Sequence, residues 1–175
     1  MIDRRGTLRG AAAGGAAALL SGVGALPPAG AARPHRKPPR LAPGDVVGLV
    51  EPAGFSDDMA EVEQVAATIR GMGLVPRIGR HVAARDGYLA GTDGQRAADL
   101  NAMFADPEVK AIFAVRGGWG SARVLPLLDW QAIRAHPRLL VGFSDITALH
   151  LAFAARGGYA TIHGPNAANR WDTLS

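Results

Sequence analysis

Two serines of this 175-residue chain stand where an apolar run gives way to a helical pattern, a place from which a hydroxyl can attack a carbonyl carbon. In Val141-Gly142-Phe143-Ser144-Asp145-Ile146-Thr147, a strand pattern, a serine and a helix start follow one another. A sharp strand-to-helix turn would expose the Ser144 hydroxyl at the sheet edge and aim the N–H of Asp145 at a developing oxyanion. The pattern departs from G-x-S-x-G, because Ile146 replaces the last glycine. A plain helix N-cap at Ser144 or Asp145 suits the same residue types, and on spacing alone it is the commoner use. The tetrapeptide recurs in Gly54-Phe55-Ser56-Asp57-Asp58, where Asp57, Asp58 and Glu61 crowd the next helix start. That crowding suits a cap and disfavours a negative charge developing beside Ser56.

A third segment, Val115-Arg116-Gly117-Gly118-Trp119-Gly120-Ser121, follows the most apolar run of the chain. Its glycines allow a tight turn and a close approach of the backbone to a ligand. Free N–H groups there, beside a helix N-terminus, can hold an anion or an oxyanion. Neither G-x-G-x-x-G nor a Walker lysine is present, so the spacing equally fits a phosphate-binding turn or an ordinary βα loop. The chain has no cysteine, which excludes disulfides, thiolate metal sites and a thiol nucleophile. Histidines 35, 81, 136, 150 and 163 show no H-E-x-x-H spacing, and no metal or cofactor is expected. As local bases for Ser144, His150 lies six residues along the same expected helix and points away from the elbow. His163, at a neighbouring strand end, is better placed.

The elements that must position these groups alternate regularly. Asp45–Val50 is a buried-strand pattern. Met59, Val62, Val65, Ala66, Ile69 and Met72 repeat at helical spacing after the caps Ser56–Asp58, and Gly73 ends that helix. Leu74–Ile78 reads as a second strand. Thr92 and Gln95 form a capping box for a helix that Asp106-Pro107 stops. Strands over 111–115 and 139–141, short helices over 121–125 and 129–135, a helix over 146–156 and a fifth strand over 160–163 complete the series. The expected fold class is α/β, an open parallel sheet with helices on both faces (Rossmann- or flavodoxin-like), with ligands bound beyond the strands' carboxyl ends.

Composition adds domain organisation. Residues 1–40 hold seven Lys/Arg against Asp3, whereas residues 41–175 hold 12 basic and 14 acidic side chains. The basic excess lies in the leader, so no nucleic-acid partner is expected. Arg4-Arg5, an uncharged Ala/Gly-rich stretch from Gly10 to Ala32, and the small-x-small site Ala29-Gly30-Ala31 have the layout of a twin-arginine signal peptide over 1–31. Six glycines and Pro27-Pro28 interrupt the apolar stretch, so no stable membrane insertion is expected once the signal is removed. Residues 32–42 read as a Pro-rich linker and 43–175 as one α/β domain. A periplasmic, extracellular or cell-wall location follows.

Four segments, Gly91–Ile112, Arg116–Gly120, Gly142–Thr147 and His163-Gly164-Pro165, resemble in order the LD-carboxypeptidases, the serine peptidase family that includes microcin-C self-immunity peptidases. Trp119 stands where that family usually has Tyr, and Asn166 where Met is common. The resemblance spans roughly residues 41–166. It implies Ser144 as nucleophile and the backbone of Gly117, Gly118 and Asp145 as oxyanion hole. It puts Ser56 in a substrate-side loop and gives His163 a structural or substrate-facing role. It also implies an acyl-enzyme, a Ser–His–Glu triad and no metal, with the Glu and His supplied by a C-terminal domain beyond Ser175. The isolated chain is therefore expected to be inactive. The implied substrate is a murein peptide cut before a terminal D-amino acid. A microcin-type peptide-conjugate hydrolase, a non-catalytic cell-wall or nucleotide-binding module, and homodimer formation by a full-length protein remain open.

Overall fold

A computed structural model describes residues 36–169 and Trp171. The expected signal peptide, residues 1–31, and the start of the linker lie outside the described residues. Five strands form one parallel sheet: β1 (Val46–Val50), β2 (Val75–Ile78), β3 (Val109–Ala114), β4 (Leu139–Gly142) and β5 (Ile162–His163). Their spatial order is β2-β1-β3-β4-β5. Hydrogen-bonded pairing aligns Leu49 with Ile78 on one side and with Phe113 on the other. Along β3, Ala111 and Phe113 are buried on one face and Ile112 and Ala114 on the other, as the two-residue period requires.

On one face Val47, Leu49, Ala111, Phe113, Val115 and Val141 meet Val65, Ala66 and Ile69 of helix α1 (Met59–Gly71). The other face carries α2 (Asp93–Ala105), α3 (Ser121–Val124) with the 3-10 turn Leu125–Leu127, α4 (Trp130–Ala135) and α5 (Thr147–Ala152). Ile112, Ala114 and Leu140 pack there against Leu100, Phe104, Ile133 and Leu149, all of them fully buried. The sheet is thus covered on both faces, the α/β class the alternation predicts.

Helix termini follow local chemistry. Asp58 caps α1 by accepting from Glu61 N at 2.9 Å. At α2 the capping box is complete: Gln95 N donates to Thr92 Oγ1 at 3.2 Å, and Thr92 N to Gln95 Oε1 at 2.9 Å. The helix expected over 146–156 is subdivided. It starts as a 3-10 turn (Ser144–Ile146), is α-helical only over α5, and widens to a π turn at Phe153–Gly157. Gly158 closes it in the left-handed region (φ 73°), donating to Phe153 O at 2.9 Å. The wide turn keeps the Phe153 ring among Phe104, Trp130 and Tyr159, at centroid distances of 5.4, 5.6 and 5.7 Å. The described part of the segment read as a linker lies against the domain. Arg36 pairs with the backbone on either side of Tyr159, and Leu41 packs on the α1 face.

Strand order reverses between β1 and β3, because the chain leaves β1 for β2 on one side and returns to β3 on the other. Loops diverge at such a point, and a crevice opens beyond the strands' carboxyl ends. Both the glycine-rich segment and Ser144 emerge from that edge.

Candidate active site

Ser144 is the only non-glycine residue with positive φ among the described residues, at 63°. A left-handed backbone costs an L-residue roughly 1–2 kcal/mol, and such strain persists only where the surroundings impose it. They do so here at the end of β4. Gly142 O accepts from His150 Nε2 at 2.8 Å and from Gly164 N at 3.0 Å. Phe143 N donates to Asn166 Oδ1 at 3.0 Å. With residues 142 and 143 held from both sides, the turn into the 3-10 helix falls on Ser144 and leaves its side chain exposed.

The next residue ties this turn to a second loop. The Asp145 carboxylate accepts from Ser121 N at 2.7 Å, and Ser121 Oγ donates to Asp145 O at 2.6 Å. Asp145 therefore caps α3, a different helix from the one it opens. Ser121 is fully buried in this contact.

Between β3 and α3 runs the glycine-rich loop. Gly118 has φ 128°, and a Cβ on it would stand 2.8 Å from Gly54 N, so a side chain is excluded both by conformation and by space. Gly54 N donates to Gly117 O at 3.0 Å, locking the loop to the one after β1. A Cβ on Gly117 would stand 3.1 Å from Ser144 Cβ, so this backbone passes directly beside the elbow. The N–H groups of Gly117 and Gly118 find no acceptor among the described residues. Arg96 braces the assembly from below. Its buried guanidinium donates to Pro52 O (2.6 Å), Gly120 O (3.0 Å) and Gly91 O (3.3 Å) and pairs with Asp93.

These loops enclose a cavity of about 780 Å³ lined by Gly54, Arg116, Gly117, Gly118, Ser144 and Asn166, among others. The Asn166 amide is oriented by its neighbours. Phe143 N–H requires an acceptor, which fixes Oδ1 on that side and turns Nδ2 toward Gly117, 3.5 Å from where a Cβ would be. Arg116 reaches Phe55 O at 3.2 Å and Glu61 at 3.4 Å. Trp119 is 77% exposed and Tyr88 61%.

The two Gly-Phe-Ser-Asp serines separate clearly. Ser56 is buried, six residues past the end of β1, and donates both N–H (2.7 Å) and Oγ–H (2.5 Å) to Glu51 Oε1. Glu51 is itself buried, its Oε2 unpartnered among the described residues, and burial pushes its pKa up to about 7. No histidine reaches Ser144 among the described residues. His150 turns back under the elbow rather than away along the helix, because it shares a buried face with Ile146, one turn earlier. Its Nε2 meets a carbonyl, so that nitrogen carries the proton, and Nδ1 accepts from Thr161 Oγ1 at 2.8 Å. Burial holds its pKa low and the ring neutral. His163 Nε2 lies 3.2 Å from Thr147 Oγ1. No group of three or more potential metal ligands occurs among the described residues.

The structure thus brings together Ser144, Asp145, Gly117 and Gly118. Sequence reasoning assigned no role to Glu51, Arg96, Ser121 or Asn166. Asn166 carried a usable signal, an amide just after a strand end; Glu51 meets Ser56 only five residues on, whereas Arg96 and Ser121 become visible through partners distant in sequence.

Comparisons with known proteins bear on the family and the fold. A family model described as the LD-carboxypeptidase N-terminal domain matches residues 47–164. A Streptomyces coelicolor relative named as a carboxypeptidase is 49% identical over 136 residues, covering 75% of this chain and 44% of the relative. The murein tetrapeptide carboxypeptidase of Pseudomonas aeruginosa is 44% identical over 124 residues, covering 68% of this chain and 38% of that protein. Among solved structures, the microcin C7 self-immunity protein MccF, named from Escherichia coli, in complex with glutamyl sulfamoyl guanosine superposes with a TM-score of 0.73 at 28% identity. That match covers 79% of this chain and 43% of MccF. The chain spans less than half the length of each of these three.

Proposed function

The chain belongs to the LD-carboxypeptidase family through its N-terminal domain, and on that premise we propose that it carries the nucleophile of a serine carboxypeptidase. The substrate is a murein peptide, cut at the L,D amide bond before a terminal D-amino acid. The observation that carries this reading is the left-handed Ser144 at the carboxyl end of β4, beside the unpartnered N–H groups of Gly117 and Gly118.

Ser144 Oγ adds to the scissile carbonyl carbon and gives its proton to a base. The carbonyl oxygen, now negative, takes hydrogen bonds from the backbone of Gly118, Gly117 and Asp145, donors fixed before the reaction and aimed where charge develops. The amide C–N bond then breaks and the D-amino acid leaves as its amine, protonated by the same base. Water hydrolyses the Ser144 ester. A serine hydroxyl without a base is a poor nucleophile, and His150 and His163 are bonded elsewhere. In this reading the His and Glu of the triad come from a further domain of a longer protein. The twin-arginine layout of residues 1–31 supports a reaction outside the cytoplasmic membrane. Incubating the full-length protein with an L,D-tetrapeptide tests this: release of D-Ala that Ser144→Ala abolishes is expected, and release that survives Ser144→Ala refutes the mechanism.

The similarity to MccF supports a second reading, hydrolysis of a peptide–nucleotide conjugate at the same serine. Competition between the tetrapeptide and an aminoacyl sulfamoyl nucleoside separates the two. The preferred substrate is the one with the larger kcat/KM.

A further inference from the structure

At the opposite end of the sheet from Ser144, a second cavity of about 690 Å³ opens beside the N-terminal end of β3. Its walls carry Arg36, Lys37, Arg40, Lys110 and Arg138, five cations against one carboxylate, Asp45. That carboxylate is already engaged by Ala42 N at 2.7 Å. Arg138 is the unusual member. It is 6% exposed, yet no carboxylate lies within 4 Å of it among the described residues, and its Nε has no hydrogen-bond partner there. Its one hydrogen bond, from Nη2, goes to Phe104 O at 3.1 Å. Asp106, the acid whose charge favours this guanidinium, is itself paired with Arg77. A guanidinium is not deprotonated in proteins, and a buried charge is ordinarily paired. Burial pulls on the Arg138 pKa in the direction expected of a cation short of compensation. An anion is the partner that such a group would take.

We propose that the cavity around Arg138 is a binding site for a phosphate group. Phosphate supplies up to two negative charges and several acceptor oxygens, which suits several cations converging from separate segments better than a single carboxylate does. Arg40 and Lys37 come from the segment before β1, Lys110 from β3, and Arg138 from the turn before β4. A guanidinium offers a planar fork that binds phosphate oxygens in pairs, while the lysines act as point charges. Occupancy would fasten the segment 36–42 to the domain, since Arg36, Lys37 and Arg40 lie in it. The site is remote from the nucleophile and independent of the peptidase reading. The phosphate is either free in solution or part of a lipid headgroup.

The test is a titration of the 175-residue chain with inorganic phosphate, followed by thermal unfolding and by calorimetry at constant ionic strength, with chloride as reference. Unfolding is expected to shift upward with phosphate and not with chloride, because a ligand bound only by the folded state stabilises it. Lys110→Glu with Arg40→Glu, both at the surface, is expected to weaken phosphate binding by roughly tenfold or more. Arg138→Gln is expected to do the same if it folds, and the surface pair decides the matter if it does not. Sedimentation with phosphatidylglycerol vesicles identifies the source. Vesicle binding lost in the surface pair assigns a lipid headgroup, and phosphate binding without vesicle binding assigns a free phosphate compound. Equal responses to phosphate and chloride, or phosphate binding unchanged by the surface pair, would overturn the proposal.

Discussion

The strain at Ser144 can be measured by removing the residue that bears it. Glycine adopts φ 63° without a Cβ penalty. Ser144→Gly is therefore expected to raise unfolding stability by about 1 kcal/mol, read from urea denaturation, while removing the nucleophile. An unchanged or lowered stability would mean that the elbow is not strained in solution. Glu51 gives a second prediction. Its pKa rises from 4.5 to about 7, chiefly through burial, with hydrogen bonds from Ser56 and the charge of Arg116 opposing and Glu61 adding. The folded state thus binds this proton more tightly than the unfolded chain does. Its contribution to stability is whole below pH 4.5 and is lost as pH rises through about 7. The total loss is on the order of 3 kcal/mol. Glu51→Gln, neutral at every pH, is expected to match the parent at pH 4.5 and exceed it at pH 8, and a constant difference between those pH values would contradict the account.

Among the elements, the strand-end loops depend on Asp145. Its carboxylate caps α3 at Ser121 N, so it links the elbow to the glycine-rich loop. Asp145→Ala leaves that N–H without its acceptor and is expected to cost about 1–2 kcal/mol. Asp145→Asn keeps an acceptor oxygen and should cost less. Equal losses in the two variants, read by chemical denaturation, would show that the cap is not the reason. This bond marks the border of what the sequence makes legible. The sheet, the Thr92 capping box and Ser144 at a strand end all rest on residues within a few positions of one another, where period and cap chemistry act. Asp145 was readable as a cap, but its partner is 24 residues away and on another helix. Arg96 sits among polar residues of an amphipathic helix and is buried only because three loop carbonyls converge on it. Glu51 is buried because the following loop folds back over it to place Ser56. The π turn at Phe153 answers to an aromatic cluster assembled from three other segments.

For the whole molecule, the reversal of strand order gathers the carboxyl ends of β1, β3 and β4 into one crevice, with Ser144, the backbone of Gly117 and Gly118, and Asn166 on its wall. His150, on α5, and His163, on β5, are each bonded to backbone or hydroxyl rather than to Ser144. A positioned general base is worth typically 10²–10⁴-fold, and among the described residues no histidine is bonded to Ser144. A fluorophosphonate probe measures that factor. The 175-residue chain is expected to be labelled only at Ser144, and roughly 10²–10⁴-fold more slowly than a full-length protein in which a histidine reaches the serine. Labelling of the short chain at the full-length rate would mean that a base within these residues reaches Ser144 in solution, and His163, with only the Thr147 hydroxyl to release, would be the residue to replace next.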